Sequence, residues 1–180
     1  KDIMNRLYIF LFVSLMLTSV AYAQDYDKFK LGLGAGYAGG KGAERITTGG
    51  GILITLEPAY RVSDNFAIGL RLEGAAYGSS FSGWPGAIAS LTINGQYYFD
   101  ADVFRPFVGA GLGGYLGRDL SVFGFYPRLG FDWGHFTLAF EYNLIPGGSS
   151  DYDYLTNTSS VTNAYYLGIR VGVFFFGGKR

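Results

Sequence analysis

The chain contains no cysteine and a single histidine among its 180 residues. The absence of cysteine excludes disulfides and cysteine-based metal or redox sites. Charge is also scarce, at 16% of residues, and the 14 basic and 14 acidic side chains balance, so no global excess favours nucleic acid or anionic lipid. After the first 23 residues there is no long apolar run, and no later transmembrane helix is expected.

Glycine and aromatic residues are abundant instead: 29 Gly, 15 Tyr and 16 Phe. The glycines follow no three-residue period, which excludes a collagen-like chain, and so much aromatic surface argues against disorder. The length allows one domain.

The N-terminus has the order of a secretory signal peptide. A short basic start at Met4-Asn5-Arg6 precedes an apolar stretch over residues 7–17, and Ala21-Tyr22-Ala23 supplies a small-x-small cleavage site. We therefore predict a signal peptide at residues 1–23, with residues 1–3 upstream of the start, and a mature domain at residues 24–180. An uncleaved membrane anchor is the alternative.

From residue 28 onward the apolar residues recur with a period of two, which is typical of β-strands. Eight segments follow this pattern, at residues 29–37, 52–62, 66–76, 87–99, 106–116, 123–133, 136–144 and 165–175. One face of every segment is free of charged, hydroxyl and amide side chains, Tyr excepted. The other face carries glycines and the polar residues Lys30, Thr55, Glu57, Arg61, Arg71, Glu73, Asn94, Gln96, Arg128, Asp132, Thr137, Glu141, Asn143 and Arg170.

This distribution predicts an all-β fold, an eight-stranded antiparallel up-and-down transmembrane β-barrel. A soluble barrel would place its charges outside, but here the polar set is too small and too rich in glycine to coat a soluble exterior. Apolar residues facing lipid and polar residues facing a narrow lumen satisfy the pattern, because a closed barrel pairs every backbone group. With eight strands, side chains fill the lumen.

The connections alternate in length, as periplasmic turns and external loops do. Short links lie at residues 63–65, 100–104 and 134–135, and long polar links at residues 39–51, 78–86, 117–121 and 145–163. Both termini are then expected in the periplasm. Aromatic girdles are expected at the two rims; the periplasmic one comprises Phe29, Tyr60, Phe66, Phe99, Phe131, Trp133, Phe136 and Phe175, and the outer one Tyr37, Phe123, Phe125 and Tyr165. Pro58 and Pro127 fall inside strands, where each removes a ladder donor, so bulges are expected there.

Two stretches resemble a known family. The run from Arg105 to Gly114, RPFVGAGLGG, and the run from Tyr166 to Val173, YLGIRVGV, are similar to sequences of the outer-membrane β-barrel (porin-like) superfamily, which includes the small OmpA-, OmpX- and OmpW-like barrels. The resemblance covers nearly the whole mature chain. It implies localisation in the bacterial outer membrane after signal-peptide-dependent secretion.

The resemblance also implies a C-terminal insertion signal read by the barrel-insertion machinery. Its pattern, polar-x-Gly-x-x-hydrophobic-x-hydrophobic, falls on Tyr166, Gly168, Val171, Val173 and Phe175. The family usually ends on an aromatic residue, whereas this chain continues past Phe176 into Gly-Gly-Lys-Arg.

Three acids and three bases fall near mid-height on the inward face: Glu57, Arg71, Glu73, Arg128, Glu141 and Arg170. Unpaired charges in a narrow lumen would cost several kcal/mol each, so we expect them to pair. An ion-pair network that plugs the barrel is the favoured interpretation, and a gate or narrow ion path is the alternative.

The remaining candidate sites give weaker evidence of a function. His135 falls in a periplasmic turn, at the end opposite to where a lipid-modifying barrel would need its histidine, so no catalytic residue is predicted. The glycine run at residues 109–114 has no following helix and cannot cradle a pyrophosphate. Asp151 and Asp153 are expected in a solvated loop, with weak cation binding as the alternative. No cofactor, metal or nucleic-acid partner is predicted.

The external loops remain as a functional surface. Phe81, Trp84, Tyr152 and Tyr154 provide aromatic contact area suited to extracellular protein or glycan, although Phe81 and Trp84 fit an extension of the upper girdle equally well. The sequence thus favours a non-enzymatic barrel acting in envelope integrity or surface interaction. A narrow pore or small-solute channel is the alternative, and a lipid-modifying enzyme is the least favoured interpretation.

Overall fold

The computed structural model describes residues 26–41, 48–77, 86–99, 104–117, 120–153 and 158–177. The predicted signal peptide and the loop residues Phe81, Trp84 and Tyr154 lie outside them. Within these ranges, no helix is long and apolar enough to cross a membrane.

Eight strands account for nearly all described residues. They are β1 (Phe29–Lys41), β2 (Thr48–Ser63), β3 (Phe66–Tyr77), β4 (Gly86–Tyr98), β5 (Phe104–Gly117), β6 (Leu120–Trp133), β7 (Phe136–Asp153) and β8 (Thr158–Phe175). Each strand pairs antiparallel with the next, and β8 pairs with β1, so the sheet is a closed barrel in chain order. The predicted fold class is confirmed.

The strand registers fix the shape of the barrel. Followed around one full circuit, they advance by about ten residues, which for eight strands corresponds to a tilt of about 40° and an interior that side chains fill.

The two ends of the barrel differ. Tight turns at residues 64–65 and 134–135 and the start of β1 share one end, which we call the turn end; the opposite end is the loop end. Gly134 has φ +58°, a left-handed conformation that glycine adopts without strain.

At the loop end several strands are longer than the sequence indicated. Residues 39–41 and 48–51, predicted as part of a long link, continue β1 and β2. Residues 145–153 and 158–163 likewise continue β7 and β8, which pair with each other beyond the point where β1 and β6 pair with them. Backbone pairing continues here although the sequence no longer alternates between apolar and polar residues. The strand ends predicted from that alternation therefore came too early.

The bulges predicted at Pro58 and Pro127 do not occur. On both sides of Pro58, β2 keeps one register with β3, and β6 keeps one register with β7 on both sides of Pro127. Each proline lacks a backbone N–H donor and interrupts the hydrogen-bond ladder at its own position, but neither strand gains an extra residue there. The register shifts lie instead between Arg61 and Ser63, next to a tight turn, and between Ile145 and Ser149, across Pro-Gly-Gly.

The two faces separate as predicted. The outward residues are large and apolar, and many are half exposed or more, with Ile52 at 70% and Phe123 at 63%. Every charge buried in the described strands faces inward. Of the predicted girdle residues, Phe131 alone is only partly exposed, and the others lie open on the outer wall.

The lumen is layered. At the loop end lies an apolar cluster made of Ala38, Leu53, Ala75, Ile88, Tyr115, Ile145, Ala164 and Tyr166. A smaller cluster of Ala67, Tyr98, Phe107 and Ala139 lies toward the turn end. The buried charged residues lie between these two clusters and toward the turn end.

Candidate functional site: the charged layer of the lumen

The structure brings the six predicted mid-height charges together. They come from five strands, β2, β3, β6, β7 and β8, and all are buried. Alternation aims each side chain inward, and the tilt of the strands brings them to a similar height. We call these six residues the charged layer: Glu57, Arg71, Glu73, Arg128, Glu141 and Arg170.

Glu57 joins two arginines. Its Oε1 accepts a hydrogen bond from Arg128 Nη1, and its Oε2 lies 2.8 Å from Arg170 Nη2. Two amides on β4 also donate to Oε1, Asn94 Nδ2 at 3.2 Å and Gln96 Nε2 at 2.9 Å. The carboxylate is therefore surrounded by donors.

Glu141 lies among three arginines. Its Oε2 accepts from Arg71 Nη1, while its Oε1 lies 3.1 Å from Arg170 Nη2 and 3.5 Å from Arg128 Nε. Because Arg128 and Arg170 each contact both Glu141 and Glu57, these four residues form one network.

The network continues toward the loop end through Arg71. Its Nη1 lies 3.6 Å from Glu73 Oε2, and its Nη2 donates to Asn143 Oδ1 at 3.0 Å. Tyr166 OH donates to Glu73 Oε1 at 2.5 Å, and Tyr115 OH to Asn143 Oδ1 at 2.8 Å. These tyrosines link the charged layer to the apolar cluster above it.

Toward the turn end the contacts run through Gln96. Tyr98 OH donates to Gln96 Oε1 at 3.0 Å, and Lys30 Nζ lies 3.2 Å from Tyr98 OH. Lys30 Nζ also pairs with Asp132 Oδ2 at 2.5 Å. Polar contacts therefore follow one another along most of the lumen.

Several inward residues were not predicted from the sequence. The polar ones are Ser90, Thr92 and Arg105, the last because the predicted fifth segment begins at Pro106, two residues after the start of β5. The inward aromatics are Tyr98, Phe107, Tyr115, Tyr126, Tyr166 and Phe174, of which only Tyr166 was predicted to have a role, as part of the insertion signal. Their parity within each strand is opposite to that of the outward residues, and this signal was sufficient to place them inside.

The remaining predicted residues lie elsewhere. His135 is exposed at the turn end, with Nδ1 3.0 Å from the carbonyl of Phe174. Asp151, Tyr152 and Asp153 belong to the extension of β7, but their side chains lie outside the described part. Among the described residues, no group of three His, Cys, Asp or Glu side chains is placed to hold a metal ion.

The residues of the resembled insertion signal lie in β8, the strand that closes the barrel against β1. Tyr166 and Gly168 face the lumen, and Val171, Val173 and Phe175 face outward. The strand ends at Phe175, and Phe176 and Gly177 follow with φ of 64° and 77°.

No protein-family model matches the sequence, and no curated protein matches it. The fold does match solved structures. Neisserial surface protein A is similar with a TM-score of 0.60 over 82% of this chain and 97% of that chain, at 16% identity. The N-terminal β-barrel domain of Pseudomonas aeruginosa OprF gives 0.47 over 86% and 100%, at 16% identity, and outer membrane protein AlkL in DMPC lipid bilayers gives 0.48 over 89% and 95%, at 15% identity. The chain therefore has the fold of the small eight-stranded outer-membrane β-barrels.

Proposed function

We propose that this protein is an outer-membrane barrel whose lumen is plugged by the charged layer, with no enzymatic activity. The observation that supports the plug is the mutual pairing of Glu57 and Glu141 with Arg128 and Arg170, which cross the lumen from four strands. Ions that moved through the lumen would have to separate these pairs, and separating a buried pair is costly.

With a plugged lumen, the outer wall and the loops remain for function. We propose that the wall contributes to envelope integrity and that the loop aromatics Phe81, Trp84, Tyr152 and Tyr154 contact extracellular protein or glycan. The turn end then faces the periplasm, where the protein arrives after cleavage of its signal peptide and is inserted by the barrel-insertion machinery.

Planar-bilayer recording of the purified, reconstituted chain tests the plug. We expect no stable single-channel steps, with a wide porin in the same membrane as the positive control. Stable steps whose size changes in Glu57→Gln or Arg71→Gln would contradict the plug and support the narrow pore or small-solute channel.

A deletion strain of the host bacterium tests the division between wall and loops. If the wild-type chain and a chain with Ser at the four loop aromatics restore detergent resistance equally, the barrel wall is responsible for envelope integrity. Loss of resistance in the loop variant would assign it to the loops.

A further inference from the structure

The buried charges of the described lumen do not balance. Six are cationic and four are carboxylates. The charged layer pairs three arginines with three glutamates, and Lys30 pairs with Asp132. Arg61 and Arg105 take part in none of these pairs.

Arg61 and Arg105 lie together at the turn end. The guanidinium carbon of Arg105 lies 3.9 Å from the ring centroid of Tyr26 and 4.7 Å from that of Tyr98; that of Arg61 lies 4.7 and 5.4 Å from the same two rings. Two guanidinium groups therefore share two aromatic rings. Cation–π attraction stabilises each of them separately and does not neutralise the pair.

Both arginines keep unused donors. Arg61 is 2% and Arg105 is 4% exposed, and in each the Nε and Nη1 atoms are buried without a hydrogen-bond partner. Arg105 Nη2 donates to the backbone carbonyl of Asp64 at 2.5 Å, an uncharged oxygen. Asp132 lies directly opposite Arg105 but is paired with Lys30, so this one carboxylate faces three cations. A water molecule would satisfy the free N–H groups but would leave this excess of positive charge at low dielectric.

We propose that Arg61 and Arg105 form a binding site for an oxyanion of the phosphate class at the turn end of the lumen. A tetrahedral oxyanion supplies several acceptor oxygens and up to two negative charges, which match two guanidinium forks. Tyr26, half-buried ahead of β1, covers the site, so the anion enters past the segment that leads into the first strand. The proposal does not depend on whether the charged layer blocks the lumen.

Isothermal titration calorimetry of the full chain in detergent micelles, with inorganic phosphate as the probe and sodium chloride of equal ionic strength as the reference, tests the site. We expect saturable binding of one phosphate per chain, abolished in Arg61→Gln and in Arg105→Gln. The matched control is Lys28→Gln, which removes a positive charge from an exposed side chain at the same end. It is expected to bind as the wild type does.

Two further variants keep the test decisive if a Gln variant fails to fold. Arg105→Lys keeps the charge but loses the planar set of guanidinium N–H donors, and its affinity for phosphate is expected to fall by about tenfold. Asp64→Asn removes a nearby carboxylate, whose Oδ1 is buried without a hydrogen-bond partner, and is expected to bind at least as tightly as the wild type.

Three results would overturn the proposal. They are the absence of saturable binding by the wild type, binding that is unchanged in Arg105→Lys and the Gln variants, and binding that occurs only in Asp64→Asn. The last would mean that the chain's own carboxylate already occupies the place of the oxyanion.

Discussion

At the residue scale, the charged layer is held by shared partners and not by isolated pairs. Arg170 contacts Glu57 and Glu141 through Nη2 and donates from Nη1 to Thr55 Oγ1 at 3.1 Å. Glu57 and Glu141 each have further cationic partners, so the layer is a network. Desolvating these charges is costly, and only the full set of contacts offsets that cost.

Removing one cation should therefore leave buried carboxylates underpaired. We expect Arg170→Ala to lower the free energy of unfolding by about 3–5 kcal/mol, the range for breaking a buried ion pair from one side. Urea unfolding of the chain in lipid vesicles, followed by tryptophan fluorescence, measures the change. Arg128→Ala, which removes the other shared cation, is expected to behave alike.

The exposed Lys28 supplies the control, because Lys28→Gln removes a positive charge without touching the network. Its unfolding midpoint should stay within experimental error of the wild type. Midpoints that stay unchanged in both arginine variants would show that the network does not stabilise the barrel.

The inward position of every buried charged side chain except Arg105 could be predicted, but its partners could not. Period-two alternation places Glu57, Arg71 and Arg170 inside because parity along a strand decides the face. Which arginine meets which glutamate depends on strand register around the closed barrel, and the sequence contains no turn chemistry that fixes those registers across the long loops. Arg105 was missed because β5 begins two residues before the first residue of the predicted segment.

At the scale of the strands, inward rings lie over glycines of the neighbouring strand. Gly111 of β5 is directly opposite Tyr126 of β6, and a Cβ atom at Gly111 would lie 2.3 Å from Cζ of that ring. Phe107 and Gly130 form a second such pair, with 2.8 Å between the added Cβ and the ring. The glycines thus make the space that the inward aromatics fill.

Gly111→Ala should consequently be destabilising although Ala has the better intrinsic stability in a strand. We expect a loss of about 1–3 kcal/mol, the usual cost of overpacking a filled interior. Gly114→Ala on the same strand is the matched control, because Gly114 faces outward with nothing within 4 Å of an added Cβ. Equal unfolding free energies for the two variants would contradict the packing of Tyr126 over Gly111.

Strand existence was predictable and strand ends were not. All eight segments lie within the observed strands, apart from the end residue Phe99, because a half-buried sheet needs alternation wherever it crosses an apolar layer. Beyond that layer β7 and β8 continue to pair through stretches rich in Ser, Thr and Asp, where the sequence has no regular apolar alternation. The bulge predicted at Pro127 does not form because β6 loses only one ladder bond there. Its other neighbour, β5, still pairs with it and keeps the register.

At the scale of the whole molecule, the barrel has its apolar surface outside and its charges inside. Such an inversion is stable only where the surroundings of the outer wall are themselves apolar. At mid-height of the described outer wall, Ile93 is flanked by Leu70 and Leu112, each about half exposed. Phe136, in contrast, is 62% exposed beside the turn at residues 134–135.

These two outward positions distinguish a barrel in a bilayer from one in water. Ile93 is 55% exposed, so in water both Ile93→Arg and Phe136→Arg would cost little. In a bilayer, Arg at the midplane costs about 2–4 kcal/mol, whereas near an interface it costs about 0–1 kcal/mol. We expect Ile93→Arg to be the more destabilising by about 2–3 kcal/mol, each measured against the Ala variant at its own position, by urea unfolding in lipid vesicles. The comparison with Ala removes the packing lost with each native side chain, so the difference reports depth alone. Equal costs at the two positions would mean that Ile93 does not lie in the hydrocarbon core, and the proposed placement of the barrel in a bilayer would be wrong.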